Sequence, residues 1–394
     1  MPLPLYLLAS AVFAMGTSEF MLAGLLPDIA ADVGVSVATA GTLTSAFAVG
    51  MVAGAPLMAA LARNRPGRTS LLAFVLVFAA AHVAGAVTAS FTVLLATRVV
   101  AALANAGFLA VAMTTAAALV PSDRKGRAVA VLLSGTTAAT VAGVPGGALL
   151  GALLGWRAPF WAVAALCLPA AAGILRGLPR PARESADGPP LRAELAWLRR
   201  PRLVLVMGLG ALVNAATFAG FTFLGPVVTG TAGLGALWVP VVLALFGAGS
   251  FAGVSVAGRL SDRRPGLVPA VGGPLLLAGW PALAVLAEYP AALLVLVFAQ
   301  GALSFAVGGT LIARVLYEAA GAPTMGGAYA TAALNIGAVA GPLAAAAALG
   351  GGSGNLGPLW TSGALVAVAL LIALPTRHVL APAPADADRE REPA

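Results

Sequence analysis

The chain has 394 residues, of which 60% are hydrophobic and only 9% are charged, and its formal net charge is +8. Soluble domains carry roughly a quarter charged residues, so this composition excludes a water-soluble fold and predicts a polytopic membrane protein. One transmembrane helix needs about 20 apolar residues, and the chain is long enough for many such helices.

Twelve apolar runs, separated by charged or Pro/Gly-rich breaks, predict an all-α membrane protein with twelve transmembrane helices. The first run is not expected to be a cleaved signal peptide, because no Lys or Arg precedes it and it contains Glu19. The predicted spans cover 4–26, 38–62, 69–90, 92–120, 128–154, 158–178, 203–228, 237–258, 267–287, 290–316, 325–349 and 357–375.

The first span carries the outstanding ionisable residue, Glu19, roughly 10 Å from the outer membrane surface at 1.5 Å per residue. Arg98 lies at a similar depth in the fourth span, roughly 9 Å by the same arithmetic. A carboxylate inside hydrocarbon is costly and usually serves an ion pathway or a proton relay. We therefore expect Glu19 and Arg98 to pair and to couple a proton to transport, with a purely structural ion pair as the alternative.

Asp28 is a second acidic residue, near the outer end of the same span. It follows Pro27 and comes nine residues after Glu19, which places the two about 180° apart on a straight helix. We expect Asp28 to act mainly as a helix cap or gate residue, with a role in proton coupling as the less favoured alternative.

Glycine and proline are concentrated in the fifth span, which reads SGTTAATVAGVPGGALLG. Small residues let helices approach closely, and proline removes a backbone hydrogen bond, so this run predicts a bent and tightly packed helix. The residues expected to have a conformational role are Gly135, Gly143, Pro145, Gly146 and Gly147.

Two basic loops resemble each other: ALARNRPGR at 60–68 is echoed by GRLSDRRPG at 258–266. This internal repeat predicts two homologous halves that rock around a site near the bilayer midplane. Charged side chains at these helix ends are expected to latch a gate, and a purely topogenic role is the alternative. The residues concerned are Arg65, Arg68, Gly258, Asp262 and Arg263.

One long polar stretch at mid-chain predicts the domain boundaries. We predict a six-helix bundle over 1–178, a cytoplasmic linker over 179–202, a second six-helix bundle over 203–376 and a disordered cytoplasmic tail over 377–394. With the amino terminus inside, every Lys and Arg except Arg98 and Arg157 falls in a cytoplasmic segment or at the cytoplasmic end of a span, as the positive-inside rule requires. The basic charge therefore reports topology, and nucleic acid is not an expected partner.

Sparse polar and aromatic residues near the midplane predict a cavity for a small amphipathic ligand. The alternative for each of them is a hydrogen bond to a neighbouring helix. Phe218 lies 199 residues after Glu19, so the carboxylate is not duplicated and coupling is expected in the first half. The candidate substrate residues are Asn105, Asn214, Thr217, Phe218, Phe221, Gln300 and Ser304.

Other classes of function lack their motifs. The only lysine, Lys125, follows Arg124 and cannot end a Walker loop, which argues against an ATP-driven pump. An intramembrane enzyme is the main alternative from another class, but HExxH and GxSxG are absent. The histidines, His82 and His378, are expected to be structural. No enzymatic activity and no cofactor other than the coupling proton are expected.

Several of these motifs resemble the major facilitator superfamily. Arg98 matches its fourth-helix RxxxG-like motif, with Ala102 at the usual glycine, and the run from Gly135 to Gly147 is similar to the antiporter motif of drug exporters. The loops at 60–68 and 258–266 are similar to its GxLaDrxGRr signature, although the first copy has Asn64 where aspartate is usual.

More closely, AMGTSEFMLAGLLPDIA, RVVAALANAGFLAVA and LSGTTAATVAGVPGG resemble the chloramphenicol-resistance exporters of actinobacteria, which are twelve-span drug:proton antiporters. The resemblance implies an exporter with chloramphenicol as its substrate. We expect the protein to be a monomer in the lipid of the bacterial inner membrane. An exporter of sugars or nucleosides from the same group is the alternative.

Overall fold

The computed structural model of the chain describes residues 3–62, 65–120, 131–132, 134–136, 138–178, 191–261, 266–319, 322, 325–349 and 354–376. The secondary structure of these residues is helical, with no strand among them. Eleven helices in these ranges are long and apolar enough to cross a membrane, and a shorter apolar helix covers Leu3–Glu19. The predicted all-α fold with twelve membrane helices is confirmed.

The membrane helices are numbered in chain order. They are α1 Leu3–Phe20, α2 Val37–Ala62, α3 Gly67–Val87, α4 Phe91–Ala118, α5 Ser134–Leu154, α6 Arg157–Gly177, α7 Pro201–Thr222, α8 Trp238–Ser261, α9 Leu267–Leu286, α10 Pro290–Glu318, α11 Gly326–Leu349 and α12 Gly357–Ala373. We call the end of the bundle where α1 begins and α12 ends the terminal face, and the other end the opposite face.

The helices form two six-helix bundles with related packing. In the first bundle α2 packs on α4 and α3 on α6, and in the second α8 packs on α10 and α9 on α12. Gly54 of α2 faces α4, where an added Cβ would lie 2.9 Å from the Cβ of Ala106. Its counterpart, Gly253, faces the backbone of Ala302 in α10. Glycine thus permits the same close helix crossing in both halves.

The first span is not the continuous helix that we predicted over 4–26. After α1 the chain forms a 3₁₀ turn over Met21–Gly24 and a second helix over Leu26–Val33. Pro27 lies in the first turn of that helix, where its missing N–H removes no helical hydrogen bond. An added Cβ at Gly24 would lie 2.7 Å from the Cβ of Ala148, so the glycine also lets α5 approach the turn.

A second departure from a regular helix follows α7, which we predicted to run to 228. The helix ends at Thr222 and is followed by the short segment Leu224–Pro226 and a π-helical turn over Val227–Thr231. A similar π-helical turn, Ala139–Gly143, lies in α5 just before Pro145. Proline disrupts regular hydrogen bonding in the preceding turn, which accounts for the π-helical turn before Pro145 and for the end of α7 before Pro226.

The two bundles meet near the opposite face, along α2 and α11. Ser45 donates a hydrogen bond of 2.9 Å to the carbonyl of Val339. One turn away, Gly41 lies against the ring of Phe223, where a larger side chain would clash. Both contacts join the half of α2 next to the opposite face to the second bundle, so the structure is closed at that face.

A polar clamp ties three connections of the first bundle at the opposite face. Asp32 accepts hydrogen bonds from Arg157 at 2.6 Å and from the indole of Trp156 at 3.2 Å. Arg157 also donates to the carbonyl of Thr88. The hydrogen bond from Arg157 holds the pKa of the Asp32 carboxyl below its usual value, and the Trp156 bond acts in the same direction.

Candidate functional site

A buried hydrogen-bond network joins α1 to α4 close to Glu19. Two nitrogens of the Arg98 guanidinium donate to Ser18, one to the hydroxyl oxygen and one to the backbone carbonyl, both at 2.8 Å. Arg98 and Ser18 are almost completely buried, at 1% and 0% exposure. The guanidinium also lies 4.5 Å from the centre of the Phe47 ring in α2, a cation–π contact that partly compensates the buried charge.

The third helix contributes a histidine to the same network. The Nε2 atom of His82 lies 2.6 Å from the Ser18 hydroxyl oxygen, and its Nδ1 atom lies 2.8 Å from the carbonyl oxygen of Phe78. A carbonyl only accepts, so Nδ1 carries the hydrogen and, in the neutral ring, Nε2 is the acceptor. The Ser18 hydroxyl therefore donates to His82 while it accepts from Arg98.

Glu19 follows Ser18 directly and is half-buried. Arg98 and Glu19 interact electrostatically, but no ion pair within 4.0 Å joins them. They therefore interact without a direct ion pair in this conformation, and their joint role in proton coupling stays a prediction. Arg98 binds the residue next to Glu19, and the Glu19 carboxyl has no ion pair with a cation among the described residues.

Glu19 and Arg98 were predicted from the sequence because each is a charge within an apolar run. Ser18 was not predicted, and His82 was expected to have only a structural role. A serine is ordinary in a membrane helix, and its significance depends on which helices face it. The available signal was that His82 is the only histidine within a predicted span.

The glycine-rich fifth helix packs against the helix that carries Glu19. Gly143 lies directly against Thr17, and Gly135 lies against the backbone carbonyl of Ala9. An added Cβ at Gly147 would lie 3.3 Å from the Cβ of Met21. Gly146 differs from these, because an added Cβ there would meet no heavy atom within 4 Å.

The polar candidates in the second bundle mostly bind neighbouring backbone. Thr217 donates to the Val213 carbonyl of its own helix, and Asn214 donates to Leu334 in α11 at 2.6 Å. Gln300 donates to the Leu276 carbonyl in α9, which directs its amide between α9 and α10. For each of these residues, one donor thus forms the hydrogen bond to helix backbone that we gave as the alternative to substrate binding.

The two remaining polar candidates are both buried. Ser304 is 2% exposed, and its hydroxyl oxygen has no hydrogen-bond partner among the described residues. Asn105 in α4 is buried to the same degree, at 2% exposure.

Aromatic rings line the inner side of the second bundle. Phe221 of α7 lies 4.9 Å from Phe246 of α8 between ring centres, and Phe246 lies 6.3 Å from Phe305 of α10. Phe218 is 6.4 Å from Phe221. Phe218 also packs with Ala48 of α2 and Ala338 of α11, and so lies between the two bundles.

The residues predicted to act at the gates lie in several different parts of the chain. Arg68 at the start of α3 donates to the carbonyl of Leu175 near the end of α6, and Arg65 is exposed. Asp28 is exposed in the first turn of the helix Leu26–Val33. Gly258 lies in α8, and Asp262 and Arg263 lie outside the described residues. The predicted latch and the coupling role of Asp28 stay predictions.

Comparison with known proteins gives a consistent result. Residues 8–342 match the family model described as Major Facilitator Superfamily. The chain is 74% identical over 392 residues to a protein of Streptomyces lividans named chloramphenicol resistance protein, with 99% of this chain and 100% of the relative covered. It is 34% identical to the inner membrane transport protein YdhP of Escherichia coli K12, covering 89% and 90% of the two chains.

A solved structure with a similar fold is a bacterial homologue of the human lysosomal transporter Spinster, in an inward-facing and unoccupied conformation. Its TM-score is 0.76 at 19% sequence identity, with 97% of this chain and 98% of that chain covered.

Proposed function

The chain belongs to the Major Facilitator Superfamily of membrane transporters, a non-enzymatic family, and on that premise we propose that it exports chloramphenicol in exchange for protons. The observation that carries the proposal is Glu19, a half-buried carboxyl beside the Arg98–Ser18–His82 network. A transporter of this fold moves small molecules, and the carboxyl supplies a group that can bind and release a proton within the membrane.

Proton coupling is assigned to Glu19 because it lies beside a buried cation without a direct contact to it. Glu19 belongs to α1, and the neighbouring Ser18 of the same helix accepts hydrogen bonds from Arg98. Its side chain is half-buried and forms no ion pair with a basic residue in the part of the chain that the structure describes. A carboxyl in this setting gains or loses its proton when the distance to Arg98 or its access to water changes. Rocking of the bundles would produce such a change once in each transport cycle.

The substrate is assigned as a neutral drug because the central parts of α7 and α10 carry no acidic residue that could serve as a counter-ion. The sequence has no charged residue over 203–222 of α7 or over 290–313 of α10. A cation there would lack a compensating carboxylate. We place Phe218 and Phe221, two neighbouring rings 6.4 Å apart, beside the nitrophenyl ring of chloramphenicol, and Asn105 beside its hydroxyl or amide groups.

The name of the Streptomyces lividans relative supports this substrate, since that protein is a chloramphenicol resistance protein at 74% identity. Among the other candidates, Gln300 and Asn214 each donate to the backbone of a neighbouring helix. Thr217, Asn214, Gln300 and Ser304 keep acceptor atoms for a ligand and stay in the predicted set.

The terminal face is assigned to the cytoplasm of a bacterial cell, with the protein in the inner membrane. The Lys and Arg residues outside the spans support this orientation through the positive-inside rule. Closure at the opposite face then corresponds to an inward-facing state, the state in which an exporter takes up its substrate. The boundaries at 178 and 203 and a monomeric state stay predictions.

The test is drug uptake into everted membrane vesicles from a host that lacks its own exporters. An imposed proton gradient, acidic inside, should drive accumulation of labelled chloramphenicol, and a protonophore should abolish it. Vesicles with the Glu19→Gln variant are the matched control. Uptake of sugars or nucleosides without uptake of chloramphenicol would transfer the assignment to that alternative, and uptake insensitive to the protonophore would overturn proton coupling.

A further inference from the structure

We propose that His82 is a positioning residue of the proton-coupling site, which keeps Arg98 beside Glu19 by accepting the hydrogen bond of the Ser18 hydroxyl. The proposal rests on the proposed proton exchange and goes beyond it, because it assigns a role to a neutral residue on a third helix. The geometry consists of a directed chain of hydrogen bonds from Arg98 through Ser18 to His82 and on to the Phe78 carbonyl.

The direction of the chain follows from its two ends. Arg98 can only donate, and the carbonyl of Phe78 can only accept. The Ser18 hydroxyl has one hydrogen, and it accepts from Arg98 with its oxygen. That hydrogen therefore points to Nε2 of His82, 2.6 Å away. Each hydrogen bond thus fixes the direction of the next one, and reversing any of them would leave a buried polar atom without a partner.

His82 is held rigidly enough to serve as a fixed acceptor. Its exposure is 1%, and its ring centre lies 4.3 Å from that of Phe78 and 5.8 Å from that of Phe160. The bond from Nδ1 to the Phe78 carbonyl fixes the ring orientation within α3. Because the ring cannot turn without losing this bond, Nε2 stays directed at Ser18.

Without His82, the Ser18 hydroxyl has a competing partner in its own helix. Serine and threonine in membrane helices commonly donate to the carbonyl four residues earlier, and the adjacent Thr17 does so with Phe13 at 2.8 Å. If Ser18 adopted the same bond, its oxygen would turn away from Arg98. The guanidinium would then keep only the backbone link to Ser18 and would be free to move relative to Glu19.

The charged and titratable groups around His82 come from three helices. Arg98 faces it from α4 through Ser18, and Glu19 follows Ser18 on α1. From α6, the only titratable residue between Arg157 and Arg176 is the buried Cys167. A proton on Nε2 would remove the acceptor and add a second cation near Arg98. His82 therefore acts in its neutral form.

The experiment compares His82→Gln with His82→Leu in the vesicle assay, across external pH. Gln offers a side-chain oxygen as acceptor but cannot titrate, whereas Leu offers no acceptor. We expect His82→Gln to restore most of the wild-type rate with an unchanged pH profile. His82→Leu should lose roughly tenfold in rate, as expected for one hydrogen bond to a charged network. Its remaining activity should have a displaced pH profile.

Ser18→Ala provides a second route to the same result and should reproduce the displaced profile of His82→Leu. Its matched control is Ser255→Ala, since the Ser255 hydroxyl is exposed and donates only to its own helix at Phe251. If His82→Leu does not fold, Ser18→Ala and His82→Gln still decide the question. The proposal is overturned if His82→Gln is as impaired as His82→Leu, or if Ser18→Ala keeps the wild-type pH profile.

Failure of the proposed function has a different signature. If the wild-type protein shows no proton-driven chloramphenicol uptake, the substrate or the coupling is wrong, whatever the variants do. If the wild-type protein transports the drug and the Ser18 and His82 variants share its pH profile, only the positioning role fails.

Discussion

The two halves of the molecule have the same helix packing but opposite chemistry at equivalent positions. In the first half, Ser18 on α1 binds Arg98 and His82 from two other helices. In the second half the residue 199 positions later, Thr217 on α7, donates only to its own helix.

The neighbours of these positions differ in the same sense. Glu19 is replaced by Phe218 and Arg98 by Val297, both of which are buried and apolar. A duplicated fold can thus carry charged residues in one copy and apolar residues at the equivalent positions of the other.

The most severe way to break this contrast is Glu19→Gln, which makes α1 as uncharged as α7. The amide imitates a permanently protonated carboxyl, so the variant should bind drug but lose uphill export completely. Labelled drug uptake at imposed proton gradients measures the loss, and drug binding in detergent checks that the protein is folded. Uphill export at the wild-type level in a gradient-dependent manner would contradict the assignment of Glu19.

A second substitution in the first half removes the positive charge of Arg98. Arg98→Ala deprives Glu19 of its nearest positive charge, and a carboxylate with less compensation keeps its proton to higher pH. We expect the pH optimum of transport to move upward by about 1. A displacement of about 1 in pH changes the ratio of protonated to ionised carboxyl about tenfold, so the rate at neutral pH should fall about tenfold. Arg98→Lys is the control, because it keeps the charge but not the paired contacts to Ser18. An unchanged pH profile in Arg98→Ala would refute the coupling of the two residues.

The sequence predicts some parts of this difference between the two halves and not others. The twelve helices follow from apolar runs alone, because bilayer thickness sets the length of each run. Glu19 and Arg98 were identified because a charge in hydrocarbon is unusual. Their depth did not show that they interact without a direct ion pair, because matching depth does not fix the rotation of two helices about their axes.

The remaining differences arise where partners come from distant parts of the chain. Ser18 and His82 are separated by 64 residues, and nothing local in either segment indicates their contact. The orientation of Gln300 toward α9 has the same origin. The end of α1 at Phe20 was also missed, because Gly24 and Pro27 were taken to lie at the end of a longer span.

The glycine-rich helix α5 offers a way to sharpen the comparison without changing charge. Gly143→Ala places a methyl group against Thr17, and overpacking of this kind costs about 1–3 kcal/mol. We expect a several-fold loss of transport and a lower melting temperature, because α5 can no longer approach the helix of Glu19. Gly146→Ala is a matched control on the same helix, since its added Cβ meets open space. Equal losses in the two variants would show that contact with α1 is not responsible.

The smallest effect is expected at the clamp on the opposite face, which belongs to the first half. Asp32 is exposed, and its pKa is lowered by the hydrogen bond from Arg157. A carboxyl with a lowered pKa in the folded state contributes stability above its unfolded pKa, and this contribution is lost as the pH falls through the folded value. Asp32→Asn should therefore lower the melting temperature slightly at neutral pH.

As the pH falls below the usual pKa of aspartate near 3.9 and through the lowered folded value, the melting temperatures of Asp32→Asn and the wild-type protein should converge. Transport should change little, because the clamp joins connections within one bundle and does not cross to the other. Asp28→Asn is the control, since Asp28 is also exposed on the helix Leu26–Val33 but has no ion pair with any described residue. A difference between Asp32→Asn and the wild-type protein that persisted or grew at low pH would mean that the carboxylate charge is not what stabilises the clamp.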